Sequence, residues 1–187
     1  FLSALLFKLS AAPFHAWSPD VYEGSISSVT VFFSILPKFA IFILCGRLLY
    51  FSFFELFDVW QPMLLTSALV SIIVSAFSAL YQRKLKRFLA FSSIGHVGYL
   101  LLGFRTGTVE GLQGVLVYLS IYLITNICVW SFVLSLRSQK TNKSFFYINE
   151  LNGLGKSNSL LAFTLAIVIF SIAGTPPLAG FIAKIVI

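Results

Sequence analysis

The chain has 187 residues, of which 58% are hydrophobic and 10% are charged, whereas soluble domains carry roughly 25% charged residues. This composition excludes a soluble globular domain and indicates a membrane protein. The net charge of +7 then indicates membrane orientation and contact with anionic headgroups, and basic runs interleaved with aromatics for binding nucleic acid are absent. Cys45 and Cys128 lie far apart in apolar stretches, which excludes a disulfide framework or a metal ligand set; we expect both to be packing residues.

Six apolar segments fit helices, whole or cut, that cross a hydrocarbon core of about 30 Å. They comprise residues 1–12, 24–46, 59–82, 88–104, 111–136 and 157–187. Helices are expected because an open strand edge cannot be satisfied in lipid. Both ends of the chain lie in apolar runs, so we expect a single transmembrane domain over 1–187 that is an internal piece of a longer polypeptide.

Most basic residues lie in two connections on one face of this arrangement. They are Arg83, Lys84, Lys86, Arg87, Arg137, Lys140, Lys143 and Lys156. The opposite face receives only Arg47 and Arg105. The positive-inside rule therefore predicts that the first group faces the cytoplasm or the mitochondrial matrix. The connection 13–24 is expected on the same inner face.

Three lysines, Lys8, Lys38 and Lys184, lie within apolar segments. A lysine at the centre of a membrane helix costs roughly 2.5–3.5 kcal/mol, and such residues usually face a bundle interior or a hydrated cavity. Removal from water weakens the hold of a lysine on its proton and a nearby carboxylate strengthens it, so these residues are candidate proton carriers. The alternative is that one or more of them extends to the interface or makes a structural contact. No Asp or Glu lies within the six segments, so counter-ions would have to come from elsewhere.

A proline lies close to each lysine, at Pro13, at Pro37 and in the Gly-Thr-Pro-Pro run at 174–177. Proline removes a backbone donor and opens a helix, and broken membrane helices are tolerated where they line a hydrated or protein-buried path. We therefore expect an all-α polytopic transmembrane helix bundle with broken helices. Proline kinks that serve packing alone are the alternative.

His96 lies in the middle of the segment 88–104 among serines and glycines. An imidazole at this depth serves either as a proton relay or as a neutral hydrogen-bonding group across a small-residue helix interface, and both readings stay open.

Two further patterns are interpreted structurally. The first is a row of small residues spaced four apart, which indicates a packing face without chemistry: Ser67, Ser71, Ser75 and Ala79. The second is a polar and aromatic connection, which favours an interfacial anchor with helix capping: His15, Trp17, Asp20, Tyr22 and Glu23.

Three runs of the sequence closely resemble NADH dehydrogenase subunit 2, an antiporter-like subunit family of the membrane arm of respiratory complex I. They are FKLSAAPFHAWSPDVYEGSISSVTVFFSILPKFAIF at 7–42, KRFLAFSSIGHVGYLLLGF at 86–104 and AGTPPLAGFIAK at 173–184. The resemblance covers essentially the whole chain in the right order. Two departures from the family pattern, Phe91-Ser92-Ser93 and Gly24-Ser25-Ile26, do not touch a proton-carrying position.

The resemblance implies an antiporter-like inverted-repeat fold in which this chain supplies the second repeat, from helix 7 to part of helix 12 of fourteen. It implies that Lys8, Lys38 and Lys184 correspond to the lysines of broken helix 7, helix 8 and broken helix 12. The helix 5 glutamate that pairs with the helix 7 lysine in the family is absent here. We expect proton translocation through Lys8, Lys38, Lys184 and His96.

The resemblance further implies a subunit of proton-translocating NADH:ubiquinone oxidoreductase without redox chemistry of its own. We expect no cofactor on this chain, whereas the complex uses NADH, FMN, iron–sulfur clusters and ubiquinone. Expected partners are the other membrane-arm subunits, a second fragment that carries the missing N-terminal helices, and the lipid bilayer. The expected location is the mitochondrial inner membrane, with a bacterial inner membrane as the alternative. A cation/proton antiporter subunit, a membrane-hydrogenase subunit and a non-pumping assembly scaffold are the competing functions.

Overall fold

The computed structural model describes residues 1–135 and 147–187, and within these ranges the chain is almost entirely helical. The α-helices are α1 (Leu2–Leu9), α2 (Trp17–Gly24), α3 (Ser27–Arg47), α4 (Phe57–Leu80), α5 (Leu85–Arg105), α6 (Val109–Ser135), α7 (Leu154–Ser157), α8 (Ser159–Ala173) and α9 (Ala179–Val186). A π-helical turn (Leu48–Ser52) extends α3, and 3-10 turns cover Phe54–Leu56 and Ile148–Leu151. The predicted inner-face residues Arg137, Lys140 and Lys143 lie outside the described residues.

Four continuous helical stretches are long and apolar enough to cross a membrane. They are Ser27–Ser52, Phe54–Leu80, Leu85–Arg105 and Val109–Ser135. They match the four central segments of the sequence analysis, and α8 and α9 together form the last one. The predicted all-α polytopic membrane bundle is confirmed.

Two breaks interrupt the helices, and both lie where the sequence predicts them. α1 ends at Leu9, and Ser10 takes the left-handed conformation with φ 58°. α8 ends at Ala173, where Gly174 has φ 81°. The expected opening at Pro37 is wrong, because α3 runs through this proline without a break. One missing backbone donor does not end a helix whose other hydrogen bonds meet no competition from water.

The connection 13–24 contains a helix that the sequence does not predict. α2 occupies most of it and packs against α5. Tyr22 is 1% exposed and lies in the bundle, whereas an interfacial anchor would reach the membrane surface. The inner end of α2 does meet the basic connection before α5, because Glu23 forms ion pairs with Lys84 and Arg87.

α4 and α5 form the tightest helix pair in the described part of the chain. Ser67, Ser71 and Ser75 are buried on α4, as the packing prediction requires. On the facing side of α5, a Cβ built at Gly98 would lie 3.0 Å from the carbonyl oxygen of Ala68. Small residues on both helices thus permit close backbone approach.

The side chains on the outer surface of the described bundle are largely apolar, as lipid requires. Phe51, Phe77 and Ile124 are among the exposed large side chains. Cys45 packs in the core, but Cys128 is exposed on α6, so its expected packing role is wrong. A helix that is apolar on every side gives no sequence signal for which side faces the protein.

Candidate functional site

Lys38 lies at the centre of the described bundle. It belongs to a row of residues spaced four apart on one face of α3, in which Thr30, Ser34 and Lys38 are all buried. Its exposed fraction is 2%. Because polar residues in contact with lipid are costly, this polar face of α3 lies towards the interior of the bundle.

The Lys38 ammonium is held by α5 and α2. Nζ donates to Ser93 Oγ at 2.8 Å and lies 5.7 Å from the centroid of the Tyr22 ring. Ser93 donates its own proton to the carbonyl of Ala90 at 2.7 Å, so its lone pairs are turned towards the lysine. No carboxylate within the described residues forms an ion pair with Lys38.

Several hydroxyls around Lys38 are buried without a hydrogen-bond partner in the described part of the chain. They are Ser18 Oγ, Tyr22 Oη and Tyr122 Oη, and both tyrosines lie near Ser93. Buried polar groups are normally satisfied by protein or by ordered water. This region is therefore a polar interior and not a packed apolar core.

His96 lies one helical turn beyond Ser93 on α5. Its Nδ1 is 2.6 Å from the hydroxyl of Tyr118 on α6, and its ring centroid is 5.3 Å from that of Tyr122. The structure thus joins the imidazole to a hydroxyl across a helix interface. A hydrogen bond of this kind serves a relay and a structural contact equally, so the geometry leaves both readings of His96 open.

Lys184 lies at the far end of the same polar line, on α9. Its Nζ donates to the carbonyl of Ala173, the last residue of α8, at 3.0 Å and lies 5.0 Å from the centroid of the Tyr99 ring. A Cβ built on Gly174 would lie 3.1 Å from this Nζ. The ammonium therefore occupies the break itself and partly neutralises the negative end of α8.

The α5 residues Ser93, His96 and Tyr99 follow one another at three-residue spacing and face Lys38, Tyr118 and Lys184 in turn. The structure therefore brings three of the four predicted site residues onto one line.

Lys8 is not part of this line. Its side chain lies on the exposed face of α1 within the described chain, directly before the break. Its predicted role in proton transfer stays a prediction.

Charge at the inner end of the bundle is arranged between α2 and the start of α5. Lys84 pairs with Glu23, and Arg87 donates to Glu23 Oε2 at 3.0 Å and lies 3.2 Å from Asp20 Oδ1. The hydrogen bond from Lys84 lowers the pKa of Glu23 below its usual value, and the same contact raises the pKa of Lys84.

Tyrosines are the site residues that sequence reasoning missed. Tyr118 and Tyr122 lie four apart in an apolar segment, a spacing that places both hydroxyls on one helix face. That spacing is the signal that would have found them. Tyr99, one turn after His96, carries the same signal on α5. The described residues contain no group of three His, Cys, Asp or Glu side chains placed to hold a metal ion.

The sequence matches the family described as "NADH:quinone oxidoreductase/Mrp antiporter, TM" over residues 1–187. The chain is 48% identical over 184 residues to NADH-quinone oxidoreductase subunit N of Pelagibacter ubique, covering 98% of this chain and 38% of that protein. It is 49% identical over 179 residues to NADH-ubiquinone oxidoreductase chain 2 of Marchantia polymorpha, covering 96% and 35%. The chain thus spans a little over a third of the length of these relatives.

Solved structures show the same fold. A chain of respiratory complex I from Thermus thermophilus with bound aureothin matches with a TM-score of 0.79 and 33% identity, over 98% of this chain and 39% of that chain. A chain of the Mrp complex from Dietzia sp. DQ12-45-1b matches with a TM-score of 0.87 and 24% identity, over 99% and 34%, which shows the fold alone. This chain is a multi-pass membrane protein segment that belongs to the NADH:quinone oxidoreductase/Mrp antiporter transmembrane family.

Proposed function

We propose that this chain is part of a proton-translocating membrane-arm subunit of NADH:ubiquinone oxidoreductase. Protons move through Lys38 and Lys184, driven by electron transfer elsewhere in the complex. The observation that carries the proposal is the burial of Lys38, whose ammonium rests on a serine hydroxyl and a tyrosine ring. A lysine buried in a membrane bundle without a carboxylate partner is the kind of group that takes up and releases a proton during transport.

The proposed route runs along α5. Lys38 exchanges its proton with the polar interior around Ser93, where unpartnered hydroxyls offer sites for ordered water. His96 and Tyr118 continue the route one turn further, and Tyr99 leads to Lys184. Lys184, at the break between α8 and α9, delivers the proton towards the outer side. The exposed face that carries Lys8 is covered by the part of the polypeptide that the longer relatives possess, which supplies the acidic partner of Lys8.

The wider assignment rests on the relatives. Proteins named as NADH-quinone and NADH-ubiquinone oxidoreductase subunits share 42–49% of their aligned residues with this chain, and these names support the oxidoreductase. In that setting NADH, FMN, iron–sulfur clusters and ubiquinone act on other subunits of the complex. The partners are other membrane-arm subunits and the polypeptide that carries the remaining helices. The location is the mitochondrial inner membrane or its bacterial counterpart.

The test compares alanine substitutions of the lysines in the assembled complex, reconstituted into vesicles. The number of protons pumped per NADH oxidised is measured for Lys38→Ala and Lys184→Ala, with the exposed Lys156→Ala as the matched control. Lys38→Ala is expected to lose most pumping while the complex still assembles, and Lys156→Ala is expected to match wild type. Lys184→Arg is expected to retain part of the pumping that Lys184→Ala loses, because arginine keeps the charge but does not release a proton.

Pumping that is equal to wild type in both lysine variants would refute proton transfer through this chain. Assembly that fails in Lys38→Ala as severely as pumping would favour the scaffold function. Cation exchange that proceeds without NADH would favour an antiporter.

A further inference from the structure

The break between α1 and α2 is anchored by hydrogen bonds from another helix. Ala12 lies in this break and is fully buried, as is Ala11. In an uninterrupted helix the N–H of Ala12 would bond to the carbonyl of Lys8, four residues earlier. Instead this N–H donates to Ser71 Oγ at 2.8 Å, and the carbonyl of the same residue accepts from Ser67 Oγ at 2.7 Å.

The two serines act as one unit on α4. The hydroxyl of Ser71 donates its only proton to the carbonyl of Ser67 at 2.6 Å, so its lone pairs are free to accept the Ala12 N–H. Both serines are buried, at 0% and 4% exposed. A buried backbone group without a partner is strongly disfavoured. Ser67 and Ser71 therefore supply the hydrogen-bond partners for the N–H and the carbonyl of Ala12 in the break.

We infer that Ser67 and Ser71 are positioning residues for Lys8. By taking the backbone groups of Ala12, they prevent the helix from closing through the break and fix the end of α1 on which Lys8 is carried. This inference rests on the proposed function, since it assigns the serines a part in proton transfer through Lys8. It also revises the sequence-based view of this row as a packing face alone.

Ser75 provides a matched control within the same row. It is buried at 7% exposed, and its hydroxyl donates at 2.9 Å to Ile72 of its own helix. It lies against Gly95 of α5. Ser75→Ala therefore removes a hydroxyl from the same helix face without touching the break.

The experiment uses the assembled complex in vesicles and has two readouts. Hydrogen–deuterium exchange of the peptide that contains Ala12 reports the hydrogen bond between Ala12 and Ser71. The number of protons pumped per NADH oxidised reports proton transfer, in which the inference gives Lys8 a part. Ser71→Ala is expected to lose the exchange protection of Ala12 and to lower the pumping ratio. Ser75→Ala is expected to change neither. Ser71→Thr keeps the hydroxyl that accepts from the Ala12 N–H and is expected to restore both readouts. If Ser71→Ala does not accumulate, Ser67→Ala and Ser67→Thr decide the matter by the pumping ratio, because Ser67 donates to the Ala12 carbonyl.

Each other outcome overturns the inference. If protection is lost while the pumping ratio stays at the wild-type value, the serines anchor the break without positioning Lys8. Equal effects of Ser71→Ala and Ser75→Ala would show general packing. The proposed function fails separately, because it is refuted only if Lys38→Ala and Lys184→Ala both pump as wild type does.

Discussion

Ser93→Ala tests the site most directly, because it removes one hydroxyl that contacts Lys38. The serine accepts from Nζ at 2.8 Å and cannot donate to it, since its proton is bound to Ala90. It therefore stabilises the protonated lysine. A hydrogen bond to a charged group contributes roughly 1.5–3 kcal/mol. At about 1.4 kcal/mol for each tenfold change, its loss lowers the ratio of protonated to neutral Lys38 by about 10- to 150-fold.

The assay measures proton pumping per NADH oxidised by the reconstituted complex across a range of pH. Ser93→Ala is expected to pump poorly at neutral pH and to recover at lower pH, where protons are more abundant. Ser93→Thr, which keeps the hydroxyl, is expected to stay near wild type. The neighbouring Ser92 lies beside an apolar cavity between α5, α6 and α8, and Ser92→Ala is the control. A Ser93→Ala profile that coincides with that of Ser92→Ala would refute the role of this hydrogen bond.

Three further changes probe other parts of the site. Gly174→Ala places a Cβ 3.1 Å from Lys184 Nζ, at a left-handed φ that costs a non-glycine residue roughly 1–2 kcal/mol. Pumping in vesicles is expected to fall further than this backbone strain alone would lower it. Tyr118→Phe removes the hydrogen-bond partner of His96, a bond that contributes about 0.5–1.5 kcal/mol. A pumping ratio below wild type is expected because the proposed route passes through this pair, and a wild-type ratio would leave His96 a structural contact. Glu23→Gln removes an ion-paired carboxylate whose pKa is lowered. The ion pairs of Glu23 stabilise the fold fully above the pKa of the unfolded state, and this stabilisation is lost as pH falls through the pKa of the folded state. Glu23→Gln is therefore expected to be less thermally stable than wild type at pH 7 and equal to it in acid.

Matched variants isolate each cause. Gly153 also has a left-handed φ but open space around it, so Gly153→Ala carries the strain without a lysine contact, and equal losses in the two glycine variants would refute the contact. Tyr81→Phe changes an exposed tyrosine and should pump normally. Asp58→Asn controls for loss of a carboxylate outside the inner-face ion pairs. A stability difference for Glu23→Gln that persists unchanged at low pH would contradict the ion-pair explanation.

Much of the bundle was predictable because lipid leaves few alternatives. Apolar segments of sufficient length, separated by charged connections, predict the four long helices, and proline runs predict both breaks. The burial of Lys38 was predictable because a lysine so far from a helix end has a high cost in lipid. The row of small residues on α4 likewise predicted the close contact with α5.

The remaining features depend on contacts between segments distant in sequence. The sequence does not predict the helix α2, because Asp20 and Glu23 give this segment a polar composition. In the structure both carboxylates pair with the start of α5. The inward position of Tyr22 follows from that packing and carries no local signal. The hydrogen bond that Ser71 accepts from the N–H of Ala12, at the break between α1 and α2, joins residues 59 positions apart.

Because Lys184 bonds to the end of α8, the charge on this side chain affects how firmly α8 and α9 are held together. The ammonium bonds to the Ala173 carbonyl at 3.0 Å, and a charge-assisted bond is roughly twice as strong as a neutral one. Loss of the proton therefore loosens the joint between the two half-helices, and gain of a proton tightens it. By reciprocity, any force from a neighbouring subunit that bends this joint changes the proton affinity of the lysine by the same free energy. At this joint, the angle between α8 and α9 and the proton affinity of Lys184 are therefore thermodynamically coupled.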